Sequence, residues 1–386
     1  MSVSRRMFVR TVGLGSAGAL LSPEVIGSAR KVLELKTSFE QQTGLKSKDP
    51  RIIQINFNEN ARGPGRKVIE ALQRGISPRI GRGYPPDYRD ELIPTIAEAH
   101  DIERENLIIA TGSGSILRAG VVAYCSSTKP LVTAVPTYGT PTRMAGRLGA
   151  RVKLIPVTKS LKLDLDAMAQ AADGAGLVYL CNPNNPTGTA HISDAVENFV
   201  RRIKSSSPTT SILIDEAYID YTMDPDVKTA LPLALQHSGV FITRTFSKAH
   251  GMAGLRLGYA IGQPETVLGI GRAWGLGSVD TLSALAGITS LKDLDHIEQE
   301  RQENRKIRAF MVEVFRDLGF ETYNPQTNFI FVNIRRPAKG FREECLAHGV
   351  HVGRDFPPLA KTHARISLGT MEEMQRAVRV FRKVLT

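Results

Sequence analysis

Residues 177–188 read LVYLCNPNNPTG, a short apolar run that stops at a turn rich in Asn and Pro. A nearly continuous apolar run of this length is typical of a strand buried on both faces, as in a parallel sheet covered by helices. The Asn-Pro steps and the glycine that follow favour a turn over a longer strand. The stretch therefore predicts a strand of an α/β sheet with a polar turn at its carboxyl end.

Similar apolar runs flank this stretch and alternate with segments of helical spacing. The predicted strands are residues 107–110, 131–135, 152–156, 177–181, 212–214 and 241–243. Short strands that alternate with helices indicate a mostly parallel sheet with helices on both faces. Polar or Gly- and Pro-rich sequence follows every run except 152–156, and ligands of open α/β sheets bind at that edge.

The pattern changes after residue 290. A long amphipathic helix is predicted over residues 293–318, strands over 327–334 and 364–370, and a closing helix over 372–385. We predict a three-layer α/β large domain over residues 76–289 and a smaller α+β domain over residues 290–386. Residues 30–75 are predicted to form an amino-terminal arm and part of the smaller domain.

The first 29 residues differ in composition from the rest of the chain. Residues 4–10 read SRRMFVR and precede a weakly apolar run rich in Gly and Ala, which is too short to span a membrane. This arrangement resembles a twin-arginine export signal. We predict a signal over residues 1–29, a periplasmic or otherwise exported protein and no stable membrane insertion. The alternative is a flexible basic arm on a cytoplasmic protein.

Composition limits the partners that the chain is expected to have. Of 386 residues, 42% are hydrophobic and 23% are charged, as in an ordinary globular protein. The net charge of +12 is scattered, without the interleaved aromatic residues of a nucleic-acid surface, so no nucleic-acid partner is predicted. Cys125, Cys181 and Cys345 show neither disulfide nor metal-ligand spacing, and no metal is predicted.

Lys248 follows the predicted strand at residues 241–243, in the segment FSKAHGMAGLRLGY over residues 246–259. A lysine withdrawn from water has a lowered pKa and can act as a nucleophile that forms an imine with an aldehyde. A surface lysine that reaches solvent is the commoner case for a single lysine, so the assignment depends on the neighbouring strand ends.

Those strand ends carry further candidate groups. Asp215 could pair with a protonated ring nitrogen, Asn185 could donate to a ring oxygen, and Tyr138 could lie against a planar ring. The loop TGSGS over residues 111–115 opens a helix, where backbone amides bind phosphate. Further phosphate ligands are expected from Thr245, Ser247 and Arg256. Together these functions are the ones needed to hold pyridoxal phosphate.

In these motifs, the chain resembles the fold-type I pyridoxal-phosphate enzymes of the class I/II aminotransferase superfamily. Within it, the histidinol-phosphate aminotransferase group is the most similar. The resemblance is strongest in NPNNPTG (182–188), DEAY (215–218) and FSKAHGMAGLRLGY (246–259), and it runs from NFNENARGP (56–64) to RISLGT (365–370). It implies an aspartate-aminotransferase-like fold with a large and a small domain.

The resemblance also implies roles for particular residues. Lys248 would hold the cofactor as an imine, Asp215 would pair with its ring nitrogen, and Tyr218 would contact the ring oxygen with Asn185. The phosphate ligands implied are Ser113, Gly114, Thr245, Ser247 and Arg256. Tyr138 would stack on the ring. Tyr84 would reach the cofactor phosphate of a second subunit, which implies a homodimer with shared sites.

Arg365 resembles the arginine that binds the substrate carboxylate, and Asn328 is expected to assist it. The histidinol-phosphate enzymes typically carry a Val-Arg-Asp sequence whose arginine holds the far anionic end of the substrate. This chain has HVGRDFPPL instead, with Gly353 before Arg354 and a Phe-Pro-Pro loop after it. The resemblance therefore indicates the reaction class and leaves the substrate open.

The predicted function is transfer of an amino group between an amino acid, or an amine like histidinol phosphate, and a 2-oxo acid. Two enzyme alternatives share the cofactor site: a decarboxylase of the threonine-phosphate type, and a lyase or racemase. A non-catalytic cofactor-binding protein is the alternative from another class. The intact Lys248, Asp215 and Arg256 set argues against it.

Overall fold

A computed structural model describes residues 52–78, residue 80 and residues 87–386 of the chain. The predicted signal over residues 1–29 lies outside the described residues. So do residues 30–51 of the predicted amino-terminal segment, and Tyr84.

Strands and helices alternate through much of the described chain. The strands are β1 (Ile53–Ile55), β2 (Leu107–Thr111), β3 (Leu131–Val135), β4 (Val152–Pro156), β5 (Leu177–Cys181), β6 (Ser211–Asp215), β7 (Val240–Thr245), β8 (Leu257–Gly262), β9 (Glu321–Thr322), β10 (Phe329–Asn333), β11 (Val350–Val352) and β12 (His363–Ser367). The α-helices are Arg66–Gly75, Asp87–His100, Ser113–Tyr124, Thr140–Arg147, Leu165–Ala171, Ser193–Ser206, Leu231–Gln236, Pro264–Trp274, Thr281–Leu291, Leu294–Asp317, Ala338–Ala347 and Met371–Leu385.

The main sheet of the described chain has seven strands in the order β2-β8-β7-β6-β5-β3-β4. Its neighbouring pairs are parallel, except that β8 runs antiparallel to both β2 and β7. This confirms the predicted α/β fold with a mostly parallel sheet. The six parallel strands coincide with the six predicted apolar runs, to within two residues at each end.

Both faces of the main sheet are buried, which explains why its strands read as continuous apolar runs. Side chains alternate along β5, so Val178 and Leu180 belong to one apolar cluster while Tyr179 and Cys181 belong to another. The central strands β5 and β6 are buried at every residue, whereas the edge strand β4 is half-buried or exposed throughout.

A second group of strands has its own apolar cluster. β12, β10 and β9 form an antiparallel sheet, and β1 pairs in parallel with β11. The helices Leu294–Asp317 and Met371–Leu385 pack on this group, and Phe315, Phe341 and Phe381 are fully buried there. The domain boundaries given above stay a prediction.

The sequence does not predict β8, whose residues read LGYAIG. Glycine lowers strand propensity, and Arg256 immediately before the strand has a left-handed backbone with φ of 55°. A Cβ at Gly258 would lie 2.4 Å from the backbone nitrogen of Ser113, so the glycine is required where β8 passes the start of a helix. Tertiary packing therefore fixes this strand where local propensity is weak.

Candidate active site

A cavity of about 1080 Å³ opens at the carboxyl ends of β2, β5, β6 and β7. The last residues of these strands, Thr111, Cys181, Asp215 and Thr245, line it. Predicted site residues that also line it are Ser113, Gly114, Tyr138, Asn185, Tyr218, Ser247, Lys248, Arg256, Arg354 and Arg365. The topology gathers them because parallel strands end at one edge of the sheet.

Two predicted site residues are missing from that set. Tyr84 lies outside the described residues. Asn328 is buried behind the wall of the cavity, and its Nδ2 donates to the carbonyl oxygens of Asn58 at 3.0 Å and Glu59 at 3.3 Å. Asn328 thus supports the backbone that forms this wall, and the expectation that it assists Arg365 at the substrate stays a prediction.

Lys248 lies in the loop after β7 and is half-buried. Its Nζ donates to the carbonyl oxygen of Asn58 at 2.9 Å and to that of Phe57 at 3.4 Å. Burial lowers the pKa of Lys248 to about 7, and the positive charges of Arg365 and Arg256 act in the same direction. A large fraction of the amine is therefore unprotonated near neutral pH, and this is the form that attacks an aldehyde.

Asp215 ends β6 and is buried. Its Oδ2 accepts a hydrogen bond from the hydroxyl of Tyr179 at 2.8 Å, and its Oδ1 accepts one from the backbone nitrogen of Ala217 at 3.3 Å. Burial raises the pKa of Asp215 to about 6, and the Tyr179 bond opposes that rise. Among the described residues no cation forms an ion pair with Asp215, so the carboxylate fits a ligand that brings a positive charge.

Arg365 on β12 forms the opposite wall. Its Nη1 donates to Oδ1 of Asn185 at 2.8 Å and its Nη2 to the carbonyl oxygen of Asn56 at 2.7 Å. In the described part of the chain its buried Nε has no hydrogen-bond partner. Burial lowers the pKa of Arg365 to about 10, so it stays protonated at neutral pH. A buried guanidinium without a carboxylate partner fits an anionic ligand group.

A second cationic site lies at the start of the helix Ser113–Tyr124. Gly112 precedes this helix with φ of 74°, and a Cβ there would lie 2.4 Å from Nη2 of Arg256. Arg256 donates through Nη1 to the carbonyl oxygen of Ala253 at 2.8 Å and to Oγ of Ser247 at 3.4 Å. A helix amino terminus, hydroxyl groups and a guanidinium without an ion pair among the described residues together fit a phosphate.

Arg354 and Arg143 line the cavity beyond Arg365. The guanidinium of Arg354 lies 4.4 Å from the ring centroid of Phe356. Burial lowers the pKa of Arg354, and the charge of Arg143 lowers it further. The carboxylate of Asp355 pairs with Arg342, and Nη1 of Arg354 donates to the backbone carbonyl oxygen of Asp355 at 3.3 Å. Neither Arg354 nor Arg143 has an ion-paired carboxylate within the described ranges, so the two form a second basic wall.

Sequence reasoning missed three residues of this site. Arg143 lies on the helix that follows Tyr138, and its sequence context is that of an ordinary surface arginine. Tyr179 lies inside an apolar strand. The only sequence signal for its contact with Asp215 is its position two residues before the end of that strand. Asn58 belongs to the NFNEN segment that carries part of the resemblance, but no pattern marks it as central.

The residues present fit pyridoxal phosphate. The amine of Lys248, with its lowered pKa, suits the aldehyde of this cofactor. The buried carboxylate of Asp215 suits its cationic ring, and the anion site at Arg256 suits its phosphate. The fold and the site together define a fold-type I enzyme that uses this cofactor.

Comparison with known proteins gives the family. The chain matches the family described as "Aminotransferase class I and II" over residues 50–381. It belongs to this family and is a pyridoxal-phosphate-dependent aminotransferase close to the histidinol-phosphate aminotransferase group.

Two relatives and one solved structure illustrate the similarity. The histidinol-phosphate aminotransferase of Moorella thermoacetica is 32% identical over 364 residues, covering 94% of this chain and 92% of the relative. That of Symbiobacterium thermophilum is 30% identical, covering 86% of this chain and 91% of the relative. The fold is shared with a histidinol-phosphate aminotransferase from Sinorhizobium meliloti solved with pyridoxal-5'-phosphate, at a TM-score of 0.79 and 24% identity, covering 100% of this chain and 98% of that one.

Two features are absent from the described ranges. No helix there is both long and apolar enough to cross a membrane. No cluster of three or more His, Cys, Asp and Glu side chains in those ranges is arranged to hold a metal ion.

Proposed function

We propose that the protein moves an amino group from an amino acid, or from an amine like histidinol phosphate, to a 2-oxo acid. One observation carries the proposal: the amine of Lys248 faces a cavity that also presents the uncompensated carboxylate of Asp215 and the uncompensated guanidinium of Arg365. These are the groups needed to bind an aldehyde cofactor and to orient an α-amino acid on it.

The cofactor, when bound, supplies an electron-withdrawing ring that accepts the electron pair released at the substrate carbon. Lys248 would hold the cofactor aldehyde and, when its amine is free, would move the proton at the substrate's α-carbon as base and acid. Asp215 would keep a proton on the ring nitrogen, and Tyr218 with Asn185 would hold the ring oxygen. Tyr138 would lie against the ring. The proposed phosphate ligands are Ser113, Gly114, Thr245, Ser247 and Arg256.

We assign the α-carboxylate of the substrate to Arg365 and a second anionic group, phosphate or carboxylate, to Arg354. The position of Arg143 beside Arg354 supports this assignment, because two guanidinium groups without ion-paired carboxylates in the described chain favour an anionic ligand. The Phe-Pro-Pro loop leaves Arg354 on the cavity wall.

The experiment is a donor and acceptor screen of the purified holoenzyme, in which cofactor absorbance is followed during a single half-reaction. Amino-acid donors with a second anion should convert the cofactor to its amine form and release a 2-oxo acid, a donor such as histidinol phosphate should release the corresponding ketone, and a 2-oxo acid should reverse the change. Lys248→Ala should lose both the reaction and the visible band of the bound aldehyde. Carbon dioxide without a 2-oxo acid would instead indicate the decarboxylase, and loss of chirality alone would indicate a racemase.

We further propose a homodimer in which Tyr84 reaches the cofactor phosphate of the other subunit. Phe57, beside Lys248, is 66% exposed, which supports cover by a second copy of the chain. A mixture of the Tyr84→Ala and Lys248→Ala proteins, dissociated and reassembled, should recover activity, because each mixed dimer contains one intact site. Mixed dimers that form without recovering activity would contradict the shared site.

Export through the twin-arginine signal is proposed on the sequence of residues 1–29 alone. Cell fractionation of the protein and of a variant with Arg5→Lys and Arg6→Lys tests it. Retention of the variant in the cytoplasm, with the original chain in the periplasm, is the expected result. Equal distribution of the two would support the alternative of a cytoplasmic protein with a basic arm.

A further inference from the structure

Asn58 occupies a central place in the cavity wall that no assigned role explains. It is buried and has a left-handed backbone with φ of 55°. Its carbonyl oxygen accepts hydrogen bonds from Nζ of Lys248 at 2.9 Å and from Nδ2 of Asn328 at 3.0 Å. Its side chain lies between Tyr218 and Ser367, and so connects the large sheet with β12.

The hydrogen bonds fix which way the Asn58 amide points. Oγ of Ser367 accepts a hydrogen bond from the backbone nitrogen of Asn58 at 2.9 Å, and its own proton goes to Oδ1 of Asn58 at 2.6 Å, the one acceptor that this hydroxyl has in the described chain. The amide nitrogen of Asn58 must then face Tyr218, and it donates to the Tyr218 hydroxyl oxygen at 3.0 Å.

Asn185 is fixed by the same reasoning. Its Oδ1 faces Nη1 of Arg365, and a guanidinium can only donate, so the amide nitrogen of Asn185 faces Tyr218 at 3.3 Å. The Tyr218 oxygen therefore accepts from two amides. None of the described residues accepts the hydroxyl proton of Tyr218, and the residue lines the cavity.

We propose that Asn58 is a positioning residue that turns the hydroxyl proton of Tyr218 into the cavity, toward the ring oxygen of the bound cofactor. With both lone-pair directions of Tyr218 occupied by amides, its proton has the cavity as its remaining direction. The inference rests on the proposed function, because it takes the cofactor ring oxygen as the acceptor.

The test is the pH titration of the visible absorbance of the bound cofactor in Asn58→Gly. Glycine keeps the left-handed backbone and the carbonyl that holds Lys248, and removes only the side chain. The ring oxygen then loses a well-directed donor and holds the neighbouring imine proton more tightly. The midpoint should rise by about half to one pH unit, and cofactor affinity should fall about three- to tenfold, as expected for one neutral hydrogen bond.

A double substitution tests the route of the effect. If Asn58 acts through the Tyr218 hydroxyl, Asn58→Gly should shift the midpoint no further in a Tyr218→Phe background. A shift of equal size in both backgrounds would overturn the proposal, as would an unchanged midpoint and affinity in Asn58→Gly alone.

Two matched variants complete the design. Asn324→Gly makes the same change at another left-handed asparagine, with φ of 42°, that is exposed outside the cavity, and it should leave the midpoint unchanged. Ser367→Ala frees the Asn58 amide to rotate and should give part of the shift; no shift there would contradict the fixed orientation. If Asn58→Gly fails to fold, Ser367→Ala in the two Tyr218 backgrounds makes the same comparison.

The outcome is separable from that of the proposed function. The original chain must first show a visible cofactor band that Lys248→Ala abolishes. A chain without this band fails the proposed function itself, whereas a band insensitive to Asn58→Gly fails only the role of Asn58.

Discussion

At the scale of single residues, the amine of Lys248 owes its reactivity to neighbours that withhold water and add positive charge. Burial is the largest cause of its lowered pKa, and Arg365 is the next. A lysine whose pKa is lowered in this way reacts as a free amine above that pKa and as an inert ammonium below it.

We predict that Arg365→Gln raises the pKa of Lys248, because it removes a nearby positive charge. In cofactor-free protein, the rate of cofactor capture should reach half its plateau near pH 7 for the original chain, and at a higher pH for the variant. Stopped-flow absorbance across pH measures both midpoints. Arg382→Gln, on the exposed face of the last helix, is the control and should not move the midpoint. An equal midpoint in Arg365→Gln would contradict this electrostatic coupling.

Tyr179 protects the ionised form of Asp215. Its hydrogen bond opposes the burial that raises the Asp215 pKa to about 6, so Tyr179→Phe should raise that pKa further. Ionised Asp215 is lost as pH falls through its pKa, and the acid limb of kcat/KM should therefore move to higher pH. The loss at pH 6 should be about three- to tenfold more than at pH 8.

The matched control for that profile is Tyr323→Phe, which removes a hydroxyl that bonds to Glu321 at 3.1 Å outside the cavity. Its pH profile should coincide with that of the original chain. A Tyr179→Phe profile that is lowered equally at every pH would indicate a packing defect in place of the proposed effect on ionisation.

At the scale of elements, β8 and the helix Ser113–Tyr124 approach so closely that one methyl group matters. Gly258→Ala would place a Cβ 2.4 Å from the nitrogen of Ser113 and 3.0 Å from the carbonyl oxygen of Arg244. We expect a loss of about 1–3 kcal/mol of unfolding free energy and weaker cofactor binding, because the helix start must shift.

Gly254→Ala, in the same segment, is the matched control. A Cβ there meets no described atom within 4 Å, and the backbone does not have a positive φ. Thermal unfolding and cofactor titration of both variants check the prediction. Similar losses in the two variants would show that the segment as a whole, and not the contact with Ser113, is sensitive.

The same elements show what the sequence could predict. The parallel strands could be predicted from the sequence because burial on both faces requires continuous apolar runs. Polar residues at the ends of these runs mark the edge of the sheet where Lys248 and Asp215 lie. β8 could not be predicted from the sequence, because Gly258 is required by a contact with Ser113, which lies far away along the chain. Arg143 and Asn58 were missed for a related reason: their importance comes from what faces them across the cavity, which spacing along the chain does not encode.

At the scale of the whole molecule, the cavity takes its walls from two apolar cores. The main sheet supplies Asp215 and Lys248, and the strand group around β12 supplies Arg365 and Arg354. The chain's net charge of +12 adds a long-range attraction for anionic substrates, which salt should weaken.

We predict that Arg354→Gln raises KM about 10- to 100-fold for donors with a second anionic group, as expected when a charged hydrogen bond is lost. Donors with neutral side chains should change little. Arg143→Gln should have the same direction, and Arg147→Gln, one turn further along that helix and exposed, should have none. Steady-state kinetics with paired donors measure the split, and equal effects on both donor classes would count against the second anion site.

Phe356 gives two arginines of the cavity wall a common support. Its ring lies 4.4 Å from the guanidinium carbon of Arg354 and 4.8 Å from that of Arg365, so the two cations can be no further apart than these lengths combined. Under the proposed roles, the cavity selects donors by the distance between their two negatively charged ends. Homologous donors that differ only by added methylene groups should be sorted by length, with the longest favoured one limited by the separation that Phe356 allows between the two cations.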